Sequence, residues 1–364
     1  MATPPRIAVI GAGIVGLSAA LALQDTGATV RLFEKGEPGQ AQSVGLARIF
    51  RLSHQNPKLV HLAMRALDGW HFWEQRFGRQ LLGREGLLVT GDALIDAYGR
   101  ALHAAGAPSS RLAAAAAHDL LPIGRFPQVS VLLDPSAGSI RARRTIDILR
   151  AALITPIVHG EVREIKVKDS GALVATETES WECDRVFIAA GLDTPALAAQ
   201  VGLAIPGEPW QIIRFTYNRR DQTDGPPPAC WIDASMAYGT GLSAYCQPIG
   251  TTSRYAVGVS RSTDGYTSLE VPREDMRRRA LERSRLYVAS ALPGLHPEPV
   301  DEVWCAGTTV DYPEEDGFRT YRAGPVVALY GTNLFKFAPL LGDLCAHAVL
   351  HDESPPELQM DYLL

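Results

Sequence analysis

The stretch Arg6–Glu34, RIAVIGAGIVGLSAALALQDTGATVRLFE, decides the fold. Arg6–Ile10 is a short apolar run ending at Gly11, and Gly27 closes the helical segment that follows. Val30–Phe33 is a second short strand that ends on Glu34. Together they predict a strand, a helix and a strand within about 30 residues. Between strand and helix stands Gly11-Ala-Gly13-Ile14-Val15-Gly16. Gly11 allows the tight turn, Gly13 lets the backbone approach a pyrophosphate, and Gly16 lets helix and strand pack closely. The helix N-terminus, opened by Ile14 and Val15, supplies amide donors and positive potential. Glu34 lies 18 residues after Gly16, where a carboxylate accepts hydrogen bonds from ribose hydroxyls and disfavours a 2′-phosphate. This is a dinucleotide site for FAD or NAD. The unit stands at the start of the sequence, and the chain returns to a second strand–glycine segment at Val186–Gly191, which favours the longer FAD.

Composition agrees with a folded, soluble protein. At about 150 residues per domain, 364 residues predict two or three domains with a full core. Hydrophobic residues make up 46% and charged residues 21%, which excludes a disordered chain. The net charge of −5 gives no phosphate-binding surface, so neither nucleic acid nor an anionic membrane is an expected partner. Cys183, Cys230, Cys246, Cys305 and Cys345 are odd in number, widely spaced and without a CxxC pair. They point to a reducing compartment, the cytoplasm, and away from disulfides or a zinc ribbon. Ile7–Leu23 is apolar enough to mimic a membrane span, but its patterned glycines read as strand, turn and buried helix.

Further along, residues 55–80 predict an amphipathic helix with Leu59, Leu62, Ala63, Ala66, Leu67 and Trp70 on one face. The alanine-rich 101–117 and the segment 144–153 predict two more helices, and Asp134–Gly138 a turn. Val158–Lys168 and Leu173–Thr178 read as meander strands, and Arg185–Ala190 as a buried strand before Gly191. Residues 221–228 are a loop. The charged run 273–285 carries an apolar stripe of Met276, Ala280, Tyr287 and Ala291, which makes it a solvated helix that Pro293-Gly294 stops. His347 and His351, four apart on a helix, read as a structural pair.

The N-terminal unit is joined by LARIFRLS (46–53), GLLVTG (86–91), FIAAGLDT (187–194), YCQP (245–248), WCAGTT (304–309) and NLFKFAPLLG (333–342). In order and spacing these segments resemble the monomeric sarcosine oxidase and N-methyltryptophan oxidase family, within the D-amino-acid-oxidase-like flavoproteins. The resemblance runs nearly end to end. It implies an α/β fold, α+β overall. A Rossmann-type FAD-binding domain (1–80, 138–205 and 318–364) is interleaved with a substrate domain (81–137 and 206–317) built on a mixed or antiparallel β-sheet with helices. It further implies a flavin bonded at its 8α carbon to Cys305, where the residue-level reading is a buried structural thiol. Arg51 and Lys336 would hold a substrate carboxylate, and Arg48 would pack against the flavin. From the residues alone, these three cations in apolar surroundings read as snorkelling or internally paired. Tyr245 would wall the substrate pocket, with Asn333 beside it. Cofactor contacts are expected at Gly11, Gly13, Ile14, Val15, Gly16, Glu34, Lys35 and Arg48. They continue at Val162, Ala190, Gly191, Cys305, Gly331, Asn333, Leu334, Phe335 and Lys336.

The departures carry information too. A family lysine over the flavin, which assists reaction with oxygen, falls near Ala256, and no lysine lies between 169 and 335. A family histidine falls near Ser260. GHGFKF becomes Thr332-Asn-Leu-Phe-Lys-Phe337, and the tyrosine of the cysteine motif is replaced, leaving Gly307. The expectation is FAD-dependent oxidation of the C–N bond of a secondary or cyclic amino or imino acid, with a hydride equivalent passing to the flavin. The electron acceptor is O2 or another, and the protein is a monomer or weak homodimer. The alternatives are a flavin dehydrogenase or desaturase and, from another class, a non-catalytic flavin-binding scaffold or sensor.

Overall fold

At Gly11 the backbone takes a φ of +99°, and a Cβ there would lie 2.5 Å from the carbonyl oxygen of Ala189. The strand Arg6–Ile10 therefore turns directly into the helix Ile14–Asp25 with the next strand end against it. That helix is apolar on every side because it is buried on every side, from Ile14 through Leu23. Its outer face meets the helix Ala338–Leu350, where a Cβ on Gly342 would be 2.8 Å from the Ser18 carbonyl oxygen. Among the described residues no helix is long and apolar enough to cross a membrane.

The computed structural model describes residues 3–126, 130–221, 225–238, 243–259, 274–308, 316–359 and 362. The chain forms two compact units. One comprises Met1–Val44, Arg143–Pro209 and Ala306–Leu364; the other comprises Gly45–Ala142 and Trp210–Cys305. Residues 45–80 thus pack with the second unit, although the sequence pattern groups them with the first.

The first unit is built on a six-stranded sheet in the order Gly317–Ala323, Val326–Thr332, Arg185–Ile188, Arg6–Ile10, Thr29–Glu34, Val158–His159. All its neighbours are parallel except the hairpin formed by the first two. This is the doubly wound arrangement that the opening motif predicts. A three-stranded antiparallel meander, Glu164–Val167, Ala172–Ala175 and Ser180–Cys183, accompanies it. The expected single strand Val158–Lys168 is therefore two strands in different sheets. Gly160 leaves the first sheet by donating to the Glu34 carbonyl, and the chain re-enters pairing at Glu164.

The second unit carries an eight-stranded sheet: Leu295–Thr308, Pro209–Arg219, Arg254–Val259, Ala244–Pro248, Cys230–Asp233, Leu87–Thr90, Ser130–Asp134 and Ser110–Ala113. Cys230–Asp233 and Leu87–Thr90 run parallel, while the other pairs from Pro209–Arg219 through to Ser110–Ala113 are antiparallel, so the sheet is mixed. The amphipathic helix is Pro57–Phe77, N-capped by Asn56 and closed by Gly78 at a φ of +60°. The charged run folds as the helix Glu274–Ala291 and buries Tyr287, Val288 and Ala291 against a core that contains Trp231, Tyr217 and Tyr255. Residues 101–117 are not one helix. The helix Asp92–Ala104 ends where Gly106 takes a φ of +69° and Pro108 follows. Ser110–Ala113 then becomes the sheet's edge strand, and a short helix Ala114–Leu120 comes after it. Alanine's helix propensity loses to that stop signal and to cross-strand pairing with Ser130–Asp134. Residues 222–224, Ser260, Arg273 and Thr309 lie outside the described residues.

Candidate active site

In the first unit the glycine-rich turn forms a shallow cradle. A Cβ on Gly16 would stand 1.8 Å from the Gly11 carbonyl oxygen, and one on Gly13 would be 3.3 Å from Ser43 Oγ. Gly13 occupies the N-cap without a side-chain cap bond, and the helix's first turn has no acidic residue. The Ile14 amide donates to Ser43 Oγ at 3.0 Å. Glu34 takes up the end of its strand as the sequence spacing predicts, accepting from the amides of Ala12 at 2.7 Å and Gly36 at 2.9 Å. Gly191 has a φ of +58°, and a Cβ there would meet Gln42 Oε1. Lys35 pairs with Asp193 at 2.6 Å on a half-exposed surface, and this partner raises its pKa. Ala190 is half-buried and Val162 buried. The side-chain-free cradle, the helix N-terminus and the carboxylate at the strand end suit the pyrophosphate and ribose of a dinucleotide.

The same unit holds the segment around Lys336. Asn333 takes a left-handed conformation, φ 56° and ψ 32°, which starts the short 3₁₀ turn Leu334–Phe337. Lys336 is 5% exposed and pairs at 2.9 Å with Asp316, itself 2% exposed. Asn333 Nδ2 donates to the other Asp316 oxygen, and Lys336 Nζ stands 5.6 Å from the Phe337 ring centroid. The internal ion pair that the residues alone suggested is therefore present, and it is buried. Phe335 is buried and Leu334 half-buried. Gly331 lies so close to the neighbouring strand that a Cβ would be 2.5 Å from the Gly317 carbonyl oxygen.

In the second unit Arg51 is 7% exposed. Its guanidinium stacks over Tyr98, 5.3 Å from the ring centroid, and Nη1 donates to the Tyr98 hydroxyl at 2.8 Å and to the Ser53 carbonyl. The turn that carries it is fixed by Asp134, which is fully buried. Asp134 Oδ2 accepts from the amides of Leu52 at 2.7 Å and Ser53 at 2.9 Å and from the Ser53 hydroxyl at 2.8 Å. Burial raises the Asp134 carboxyl's pKa, and the bonds from Ser53 and Leu52 pull it back.

A second basic group of this unit surrounds the Ala47 carbonyl, which accepts from Arg48 Nη1 at 2.9 Å, Gln247 Nε2 at 3.2 Å and Arg214 Nη1 at 3.4 Å. Arg214 is 6% exposed. Burial and the neighbouring Arg214 push the Arg48 guanidinium below its ordinary value, while Cys305 and Tyr245 act in the opposite sense. Tyr245 is half-buried, and desolvation pushes its phenol up to about 12. Cys305 is the half-buried thiol among five free cysteines; the other four are buried. Ala256, where the family lysine falls, packs in an apolar cluster with Ala47 and Ile249. Arg48, Tyr245 and Cys305 thus come together in one unit. Asn333, Lys336 and the glycine cradle belong to the other.

Sequence reasoning missed Arg214, Asp134, Tyr98 and Asp316. Arg214 had a signal, a guanidinium inside the strand run Ile-Ile-Arg-Phe-Thr-Tyr. Asp134 had none beyond the Leu132 and Leu133 before it, and Asp316, at the end of the acidic run Glu314-Glu315-Asp316, had none. His347 and His351 meet with ring centroids 4.4 Å apart and planes tilted by 44°.

The profile of the family described as FAD dependent oxidoreductase, DAO, matches residues 6–348. No curated protein matches the sequence. Among solved structures, NikD, described as an unusual amino acid oxidase essential for nikkomycin biosynthesis, is 22% identical with a TM-score of 0.84, over 97% of this chain and 95% of that one. L-proline dehydrogenase from P. horikoshii is 18% identical with a TM-score of 0.82, over 100% and 97%. Glycine oxidase from Geobacillus kaustophilus is 18% identical with a TM-score of 0.79, over 99% and 98%. At these identities the likeness is one of fold.

Proposed function

The chain belongs to the DAO family of FAD-dependent oxidoreductases, and on that premise we propose that it oxidises the C–N bond of a secondary or cyclic amino acid held by its carboxylate. FAD, when bound, supplies the acceptor for the hydride equivalent that leaves the substrate's α-carbon. The first unit is the FAD-binding domain. Its Gly11, Gly13 and Gly16 backbone and the first turn at Ile14 and Val15 cradle the pyrophosphate. Glu34 takes the ribose, and Lys35, Val162, Ala190, Gly191, Gly331, Leu334 and Phe335 flank the cofactor. The second unit binds substrate: Arg51 would orient the carboxylate, Tyr245 would wall the pocket and Arg48 would pack against the flavin. Lys336, for the carboxylate, and Asn333 are the candidates that the first unit adds. Cys305 would hold the flavin at its 8α carbon, a C–H bond there giving way to C–S while the two electrons and protons left on the reduced ring pass to the enzyme's electron acceptor.

The observation that carries the reading is the burial of Arg51 with its orientation set twice, by the Tyr98 ring and by the Asp134-held turn. A buried guanidinium positioned from both sides is organised to receive a carboxylate in fixed geometry. Lys336 would contribute as an ammonium with three donors, one of them given to Asp316. The structural neighbours named as acting on amino acids accord with this substrate class. The five free cysteines fit a cytoplasmic location.

A second reading keeps the substrate and changes the acceptor. The apolar packing of Ala256 and the absence of lysine from 169 to 335 favour an acceptor other than O2.

The test of the carboxylate assignment is the double variant Lys336→Met/Asp316→Asn, which leaves the buried pair neutral. One charge-assisted bond is worth about 1.5–3 kcal/mol, roughly 10- to 150-fold. KM for sarcosine or proline should rise by that factor, and KM for an amine without a carboxylate should not. Equal effects on both substrates would overturn the assignment. Reoxidation rates with and without O2 decide between the two acceptors.

A further inference from the structure

Arg214 stands in the middle of the strand Pro209–Arg219, and register fixes its company. Tyr245 pairs with Gly258, and Gly258 pairs with Arg214, so the three form one row across three strands on one face of the sheet. Gln247, Ala256 and Thr216 form the row two residues on. Gly258 has no side chain, and the Tyr245 ring lies over it: a Cβ there would be 2.1 Å from the Tyr245 Cζ. The phenol is thereby laid along the row toward Arg214. Arg48 approaches the same place from its own strand. A Cβ on Gly45, which has a φ of +110°, would lie 3.1 Å from Arg48 Nη1 and 3.2 Å from Arg214 Nη2. Both guanidiniums also donate to the one Ala47 carbonyl.

Bringing two like charges together in a wall of low polarity is unfavourable, and each gains from an anion that arrives between them. A single substrate carboxylate held by Arg51, with Arg48 packed against the flavin, does not account for the further guanidinium of Arg214 beside Tyr245. We propose that Arg214, with Arg48 and Tyr245, binds a second carboxylate of the substrate, so that the preferred substrate is a secondary amine carrying two carboxylates. This inference rests on the reading of Tyr245 as the wall of the substrate pocket. Arg214 is its specificity-determining residue.

The test uses the FAD-loaded enzyme and two matched pairs of small molecules. Iminodiacetate differs from sarcosine by one carboxylate, and thiodiacetate differs from methylthioacetate in the same way with sulfur in place of nitrogen. kcat/KM should favour iminodiacetate over sarcosine by tenfold or more, and Arg214→Gln should reduce that ratio at least tenfold, with Arg214→Lys recovering part of it. Thiodiacetate, titrated by the change it makes in the flavin absorbance, should bind at least tenfold tighter than methylthioacetate. That comparison needs no variant and does not depend on turnover. Equal affinity for the two thioethers, or an Arg214→Gln effect of the same size on both members of each pair, would overturn the proposal. If neither amine is oxidised while thiodiacetate still binds preferentially and depends on Arg214, the anion site stands and the oxidation reading falls. If sarcosine is oxidised and Arg214 does not discriminate, the reverse holds.

Discussion

Replacing Asp134 should uncouple the turn carrying Arg51 from the sheet beneath it. The carboxylate accepts four hydrogen bonds: from the Leu52 and Ser53 amides, the Ser53 hydroxyl and the Ser136 amide. Leu52 and Ser53 are buried, 2% and 0% exposed, whereas Ser136 is half-buried and can turn to water. In Asp134→Ala three buried donors lose their acceptor, at about 1–3 kcal/mol each. Removing a buried acid recovers part of that as desolvation, which leaves a net loss of about 2–4 kcal/mol. Asp134→Asn keeps one carbonyl oxygen for the Arg51 turn and turns its amide toward Ser136, so it should cost about 1–2 kcal/mol. Urea unfolding followed by the fluorescence of Trp70 and Trp73 reads both losses in the unit concerned. A positioning role for Asp134 predicts more than instability. Asp134→Asn should raise KM for carboxylate substrates several-fold with kcat within a factor of two, because Arg51 keeps its charge and loses its aim. An Asn variant as unstable as Ala, or one with unchanged KM, would refute the reasoning.

The pH dependence of the same site has a definite sign. Asp134 is raised above its ordinary 3.8, so its contribution to stability is full below that value and declines as pH rises through its folded value. The stability gap between the natural protein and Asp134→Asn should therefore narrow as pH rises above 3.8, and a widening gap in urea midpoints would contradict burial as the dominant cause. Gly16→Ala drives a Cβ to 1.8 Å from the Gly11 carbonyl and must displace the helix from the strand. Flavin absorbance per protein after desalting should fall below a tenth, and full retention would disprove the cradle. Cys305 should be the thiol alkylated by iodoacetamide in flavin-free protein, since the other four are buried, and burial raises Cys183 to about 11 and Cys230, Cys246 and Cys345 well above the ordinary thiol value. Mass mapping checks this. Yellow that persists through acid precipitation and is lost in Cys305→Ala establishes the covalent link.

What the sequence made legible follows from how local each signal is. Gly11, Gly13, Gly16 and Glu34 announce the dinucleotide turn because a few consecutive residues must meet strict steric demands, and the fold obeys them. Helix Pro57–Phe77 was readable from its apolar period, while its Asn56 and Gly78 caps came from the structure. Where pairing depended on distant partners, local reading failed. Ser110–Ala113 is a strand because Ser130–Asp134 lies beside it, and Val158–His159 joins Thr29–Glu34 across more than a hundred residues. The basic residues show the same limit. Lys336 and Arg51 stood out in apolar surroundings, but their partners Asp316, Tyr98 and Asp134 come from remote segments that no spacing connects. Arg214 became meaningful only once strand register set it in a row with Tyr245.

The packing of Ile14–Asp25 against Ala338–Leu350, with Gly342 seated on Ser18, has a consequence for how the protein is made. A ribosome that has released the first three hundred residues has delivered the whole glycine motif but not the helix that covers it, nor the strands Gly317–Ala323 and Val326–Thr332 that complete its sheet. During that interval an apolar helix stands without its cover, a surface on which chaperones act. The nucleotide cradle is thus encoded some three hundred residues ahead of the segments that complete it. Cofactor capture should wait until those segments emerge, and a nonsense mutation near residue 330 should abolish binding at residue 11.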